Sequence, residues 1–167
     1  MVVGGGPAGL SAARTAAQAG HEVTLYEKEA HLGGQMPLAS VIDERREMGA
    51  FVKPFSEQAK AAGAMIASGI EVDEVLVKAE KPDVVVLATG GEPLCPHIHG
   101  MNADNVEYAW DVLAGKNVTG KNIVVVGGGA VGIETALYLA KIGTIDAETL
   151  KFLFLTKAEE PDRLREY

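Results

Sequence analysis

Met1-Val2-Val3-Gly4-Gly5-Gly6-Pro7-Ala8-Gly9-Leu10 opens the chain, and the fold follows from how these ten residues are read. Val2 and Val3 have the character of the end of a buried strand. Gly4, Gly6 and Gly9 then stand at the G-x-G-x-x-G spacing. In that pattern one glycine makes a tight turn, the next lets backbone approach a pyrophosphate, and the third lets a helix lie close on the strand. An Ala-rich helix is predicted to run on to Gly20. Pro7 suits its first position, where no N–H donor is needed. The free N–H groups of the Pro7–Leu10 turn, with Ala8 among them, lie at the positive end of the helix dipole and would face phosphates.

The residues that follow complete the unit. His21 to Tyr26 reads as the next strand, with Glu27 at its end and Lys28 beside it. Glu27 lies close to the offset of about 20 residues at which an acid accepts hydrogen bonds from a ribose. Gly33-Gly34-Gln35 reads as a second backbone cradle, because paired glycines expose N–H donors. Ser40 to Ala62 carries apolar residues at mixed helical spacing, and Pro54 is expected to kink or break that helix. Gly63 is a natural stop. Short strands are expected at Ala64–Ser68 and at Ile70–Val72, where the Val72 backbone could meet an adenine edge, followed by a helix from Asp73 to Ala79.

Pro82 to Leu87 is a continuous apolar strand that reads as buried on both faces. Its carboxyl end, Ala88-Thr89-Gly90, is the second place where cofactor contact is expected, since open α/β sheets bind ligands there. Cys95, His97 and His99 stand on one Pro-rich loop. Three ligands crowded there, with no fourth in view, do not make a metal site, and no metal is expected. A helix is predicted over Val106–Leu113, with Trp110 in packing. Then Lys121–Val126 reads as a strand, and Gly127, Gly129 and Gly132 repeat the opening spacing around Ala130 and Val131. A helix continues to Ile142. Two such fingerprints imply two dinucleotides, most simply a flavin and a nicotinamide exchanging a hydride.

Past Gly143 the second unit departs from the first. Asp146 looks like an N-cap, so Ala147–Thr156 is predicted to be an inserted helix. The rival reading makes Lys151–Thr156 the ribose-reading strand, with Glu159 or Glu160 as its acid.

Bulk properties limit the function. The chain has 167 residues, 47% of them hydrophobic, and a formal charge of −8 without a basic cluster, so nucleic acid and anionic membranes are poor partners. No apolar run is long enough to span a bilayer. One cysteine builds no disulfide framework and points to a reducing cytoplasm. It also leaves no cysteine pair for disulfide-reductase chemistry of the thioredoxin-reductase kind. The short first strand and a C-terminus that stops inside a helix-like run suggest a fragment.

These residues resemble the C-terminal dinucleotide-binding region of the NADH:flavin oxidoreductases built on an old-yellow-enzyme barrel. That group includes 2,4-dienoyl-CoA reductase, 2-enoate reductase and trimethylamine dehydrogenase. The likeness rests on VVGGGPAGL, LYEKEAHLGGQ, PDVVVLATGGEP and KNIVVVGGGAVGIETALYLA, in that order, with the insertion GTIDAETLKFLFLTKAEEPDRLREY. It implies an α/β fold of Rossmann-like units of the two-dinucleotide flavoprotein type, the second unit incomplete. Residues 1–105 would be the FAD-binding or ADP-binding part and 106–167 the start of an NAD(P)-binding part.

Under the resemblance, Gly4, Gly6 and Gly9 would hold the FAD pyrophosphate and Glu27 the adenosine ribose. Gly34 and Gln35 would line the flavin side, and Thr89-Gly90 would pass close to the cofactor. Gly127, Gly129 and Gly132 would receive NAD(P)H, with Glu134 near the nicotinamide. FMN and an iron–sulfur cluster would belong to a preceding barrel absent from this chain, and the substrate would be a conjugated double bond. The Gly-Asp segment that contacts the ribityl chain is missing, so the isolated chain is not expected to turn over NADH. Two readings compete: a structural ADP-binding module without redox chemistry, and a small subunit of a glutamate-synthase-like enzyme. Gly132-Ile133-Glu134 argues mildly against the latter.

Overall fold

Val2 and Val3 form β1 (Val2–Val3), which lies inside a four-stranded parallel sheet of order β3-β2-β1-β4. The computed structural model describes residues 1–116, 120–142 and 147–156 of the chain. On one side β1 pairs with β2 (Thr24–Glu27), in the register Val2 to Leu25 and Val3 to Tyr26. On the other it pairs with β4 (Val86–Leu87), Val2 to Val86 and Val3 to Leu87. β3 (Met65–Ser68) extends the sheet beyond β2. The first unit is thus an α/β, Rossmann-like arrangement, and the carboxyl ends of β1, β2 and β4 share one edge.

The helix α1 (Pro7–Gln18) starts four residues after β1 and buries Gly9, Leu10 and Ala13. These are one face of a 3.6-residue repeat. Leu10 and Leu25 are 1% and 0% exposed and anchor a core with Val2, Ala13, Val23, Ala59 and Ala64. Each fully buried leucine contributes about 1.5–3 kcal/mol. Ala59 comes from α4 (Val52–Ala61), which lies against α1.

Two short helices, α2 (Met36–Ala39) and α3 (Glu47–Ala50), and a 3-10 turn at Asp43–Arg45 lead into α4. The break expected at Pro54 falls earlier, at Phe51, between α3 and α4. Pro54 is the third residue of α4, in the first turn, where a helix has no acceptor for an N–H. Phe51 and Phe55 meet with ring centroids 6.1 Å apart.

Past Gly63, β3 runs as expected, but Ile70–Val72 is not a strand. The Ile70 N–H instead donates to the Glu27 carbonyl at 2.9 Å, which ties the loop to the end of β2. α5 (Glu74–Glu80) is capped by Asp73, whose Oδ1 accepts the Leu76 N–H at 2.8 Å.

β4 is shorter and barer than its sequence predicts. Val86 and Leu87 are 38% and 77% exposed, because the strand is at the edge of the sheet with only β1 alongside it.

The chain divides into two compact units, Met1–Asn102 and Ala103–Tyr167. In the second, α6 (Ala109–Leu113) buries Val112 and Leu113 and begins three residues later than the predicted Val106. It packs with α7 (Ala130–Lys141). Residues 121–126 do not form the expected strand, and Val124 is 87% exposed. No other strand among the described residues of this unit offers them a ladder. α8 (Ala147–Thr156) is helical, so the stretch that could have been a ribose-reading strand is the inserted helix. Asp146, Glu159, Glu160 and the C-terminal run lie outside the described residues.

Candidate functional site

The corner between β1 and α1 is shaped by glycines that do two different things. Gly4 has φ +109°, and a Cβ there would come within 2.3 Å of the Ala88 carbonyl oxygen. Its N–H donates to the Tyr26 carbonyl at 2.8 Å. A Cβ on Gly9 would lie 1.8 Å from the Gly4 carbonyl oxygen. Both positions are glycine because the fold itself leaves no room.

Gly6 is different. Its φ of −76° and ψ of −177° are extended backbone open to any residue, and a Cβ would find only the Gly34 Cα at 3.8 Å. The ligand-free fold does not need a glycine there; a group that must come against the backbone does. No side chain caps α1 and no acid stands in its first turn, so no charge of the chain competes for the amides around Ala8. The open cradle at Gly6 fits a pyrophosphate.

Around this corner three loops converge. Glu27 is 7% exposed, and its Oε2 accepts the Gly5 N–H at 2.6 Å while Oε1 accepts the Glu29 N–H at 2.9 Å. Gly33 donates its N–H to the Gly5 carbonyl at 2.9 Å, and Gly34 lies against Gly6, where a Cβ would come within 3.2 Å of its Cα. Gln35 reaches the loop after β4, its Nε2 donating to the Gly91 carbonyl at 2.8 Å. The Ala88 N–H is bonded to Val3, and Thr89 and Gly90 are exposed at the same edge.

Thus Gly4, Gly6, Gly9, Glu27, Gly34, Gln35 and the Ala88–Gly90 turn come together. Lys28 is exposed, and Val72 is half-buried in the loop before α5, which Ile70 ties to β2. Sequence reasoning missed Gly5 and Gly91, whose backbone groups hold the loops together. Their only signal was position, inside Gly4-Gly5-Gly6 and Gly90-Gly91.

The second corner repeats the first. Gly127 has φ +118°, and a Cβ on Gly132 would lie 1.9 Å from the Gly127 carbonyl oxygen. Gly129 has φ −78° and ψ −179°, with nothing within 4 Å of a Cβ. α7 begins at Ala130 and Val131 and is 12 residues long like α1, again without a side-chain cap. Glu134 is half-buried one turn in, next to Thr135, whose Oγ1 donates to the Val131 carbonyl at 2.7 Å. Cys95, His97 and His99 are exposed, and among the described residues no group of three His, Cys, Asp or Glu side chains could hold a metal.

Known proteins share this arrangement. The family described as pyridine nucleotide-disulphide oxidoreductase matches residues 1–156. An NADH oxidase of Thermoanaerobacter brockii is 48% identical over 147 residues, covering 86% of this chain and 23% of that protein. A metal reductase of Desulforamulus reducens is 42% identical over 168 residues, covering 98% of this chain and 25% of that protein. The solved structure of a 2-naphthoyl-CoA reductase bound to 2-naphthoyl-CoA is similar with a TM-score of 0.79 and 36% identity, over 86% of this chain and 22% of that one. The chain therefore spans about a quarter of the length of the relatives it matches. These matches agree with the resemblance to the NADH:flavin oxidoreductase group. No helix among the described residues is long and apolar enough to cross a membrane.

Proposed function

Because this chain belongs to the pyridine nucleotide-disulphide oxidoreductase family, we propose that it is the part of a longer flavin oxidoreductase that carries FAD and receives NAD(P)H. The observation that carries this reading is the repetition of one corner geometry at Gly4–Gly9 and Gly127–Gly132, each with its middle glycine open. Gly6 and the amides of the first turn of α1 hold the FAD pyrophosphate, and Glu27 accepts from the adenosine ribose. Gly34, Gln35 and Thr89-Gly90 lie along the flavin side, with Val72 at the adenine. The second corner receives the NAD(P)H pyrophosphate, with Glu134 towards the nicotinamide. FAD, when bound, supplies the acceptor for a hydride from the reduced nicotinamide.

What the chain's own residues do is bind and orient. Backbone dipoles neutralise phosphate here, consistent with the net charge of −8 and the uncapped helices. On this reading a barrel of the parent polypeptide would hold an iron–sulfur cluster and FMN, which would supply the onward path from FAD to an enoyl-type double bond.

The test is anaerobic mixing of the intact parent polypeptide with NADH while the flavin absorbance is followed. Bleaching of FAD that Gly129→Val abolishes supports the reading; bleaching unaffected by that change overturns it. A structural module holding only ADP is the second reading. It is favoured by the completeness of the first corner, where Glu27 and Gly6 serve ADP as well as FAD. Release of ADP and no FAD on denaturation would select it.

A further inference from the structure

Gln35 ends a loop that is anchored at its start by backbone and at its end by one side chain. Gly33 donates to the Gly5 carbonyl at 2.9 Å, and a Cβ on Gly33 would run into the Val52 side chain at 2.7 Å, so this end is packed between the first corner and α4. Gly34 then passes against Gly6. Gln35 is exposed, yet its Nε2 donates to the Gly91 carbonyl at 2.8 Å across 56 positions of sequence and sits 3.9 Å from where a Gly90 Cβ would be. The loop thus runs from the corner after β1, past the open glycine, to the turn after β4.

We propose that Gln35 is a positioning residue: its side-chain amide clasps the loop after β2 to the loop after β4 and holds the two at a fixed spacing around Gly6. The inference rests on reading these loops as the first dinucleotide site. The two ends of the loop differ in strength. Gly33 is buried and cannot move without disturbing the corner. The Gln35 side chain is held by a single exposed, neutral hydrogen bond, the kind with the smallest net contribution. The clasp therefore opens alone, without unfolding β1 or β2, and it governs how readily a dinucleotide enters and leaves. Nothing in the glycine fingerprint itself has this role, because those residues are fixed by backbone contacts.

The test uses Gln35→Met, which keeps the length and shape of the side chain without a donor, and Gln35→Lys, which puts a donor back within reach. Two quantities are read in the intact protein. One is hydrogen-exchange protection of the Met36 and Ala39 amides, the latter bonded to the Gln35 carbonyl, without ligand. The other is the rate at which flavin fluorescence returns when FAD-loaded protein is diluted. Gln35→Met should lose about fivefold in protection at Met36 and Ala39 and release FAD about fivefold faster, as one exposed hydrogen bond implies. The Gly4 amide, bonded to Tyr26, and the Gly33 amide, bonded to Gly5, should keep their protection. Gln35→Lys should restore protection at Met36. Unchanged protection and release in Gln35→Met overturn the clasp, and so does a loss of protection that spreads to Gly4. A wild-type protein that takes up no FAD overturns the reading of the site and with it the role given to Gln35, whatever the exchange data show.

Discussion

The Glu27 carboxylate accepts the backbone N–H of Gly5 at 2.6 Å, so the acid at the end of β2 shapes the glycine corner 22 residues before it. A carboxylate has about four acceptor positions, and Gly5 and Glu29 take two. On the proposed function the others serve a ribose. One side chain thereby fixes the corner and, on that reading, keeps acceptors for a ligand.

Replacing Glu27 tests both roles. In Glu27→Ala the Gly5 amide loses its acceptor, which costs about 1–3 kcal/mol when such a group is left buried. Glu27→Gln keeps one acceptor oxygen but turns an NH2 towards a backbone N–H, and should fall between alanine and wild type. Chemical denaturation should show this order, and a fluorescence titration should show FAD affinity at least about tenfold weaker in both, as for a lost charge-assisted contact. Native stability together with native affinity in Glu27→Ala would contradict the assignment.

The two corners should fail separately. A methyl at Gly9 would lie 1.8 Å from the Gly4 carbonyl, and one at Gly132 would lie 1.9 Å from the Gly127 carbonyl, so each helix must lift off its turn. Gly9→Ala should remove flavin from the purified parent protein. Gly132→Ala should leave it yellow and raise the Kd for NAD(P)H by about 100-fold, the loss of roughly 2.7 kcal/mol of aligned contacts. Calorimetry and absorbance separate these outcomes. Gly132→Ala protein without flavin would show that the corners are not independent sites.

Alkaline stability should depend on Tyr26. Burial pushes its phenol above the usual range, and the nearby Glu80 carboxylate adds to the shift by its charge and by accepting a hydrogen bond. A phenol whose pKa is raised on folding contributes stability that is full below the unfolded value of about 10 and is lost as the pH rises above it. Wild type should therefore lose stability above pH ~10 faster than Tyr26→Phe, which should be about 1 kcal/mol less stable at neutral pH. Melting curves across that range check it. Parallel curves for the two proteins would remove the Tyr26–Glu80 pair from the account.

Much of this was legible in the sequence, for reasons that differ by element. The corners at Gly4–Gly9 and Gly127–Gly132 were readable because glycine spacing encodes local sterics, which act within ten residues. α8 was readable because an acidic first turn marks a helix start. The break near Pro54 was misplaced, since a proline signals either a break or a first turn, and the difference lies in where the preceding helix ends. The bareness of β4 and of residues 121–126 could not be read at all. Apolar runs such as Val84–Leu87 report that a segment suits a sheet interior, whereas exposure depends on which strands stand alongside. Nor could the Gln35–Gly91 bond be read, because the chain between two residues 56 positions apart decides whether they meet.

Gly6 offers the most direct measurement. Its backbone is ordinary and a Cβ would meet nothing nearer than 3.8 Å, so Gly6→Ala should fold and melt like wild type. Only a ligand lying against that backbone would be displaced by the methyl. Calorimetric titration of the flavin-stripped parent protein with FAD, wild type against Gly6→Ala, should show uptake by the first and at least about tenfold weaker binding by the second, the effect of roughly 1.4 kcal/mol. Equal binding by the two, or none by the wild type, would contradict the claim that this corner holds a dinucleotide.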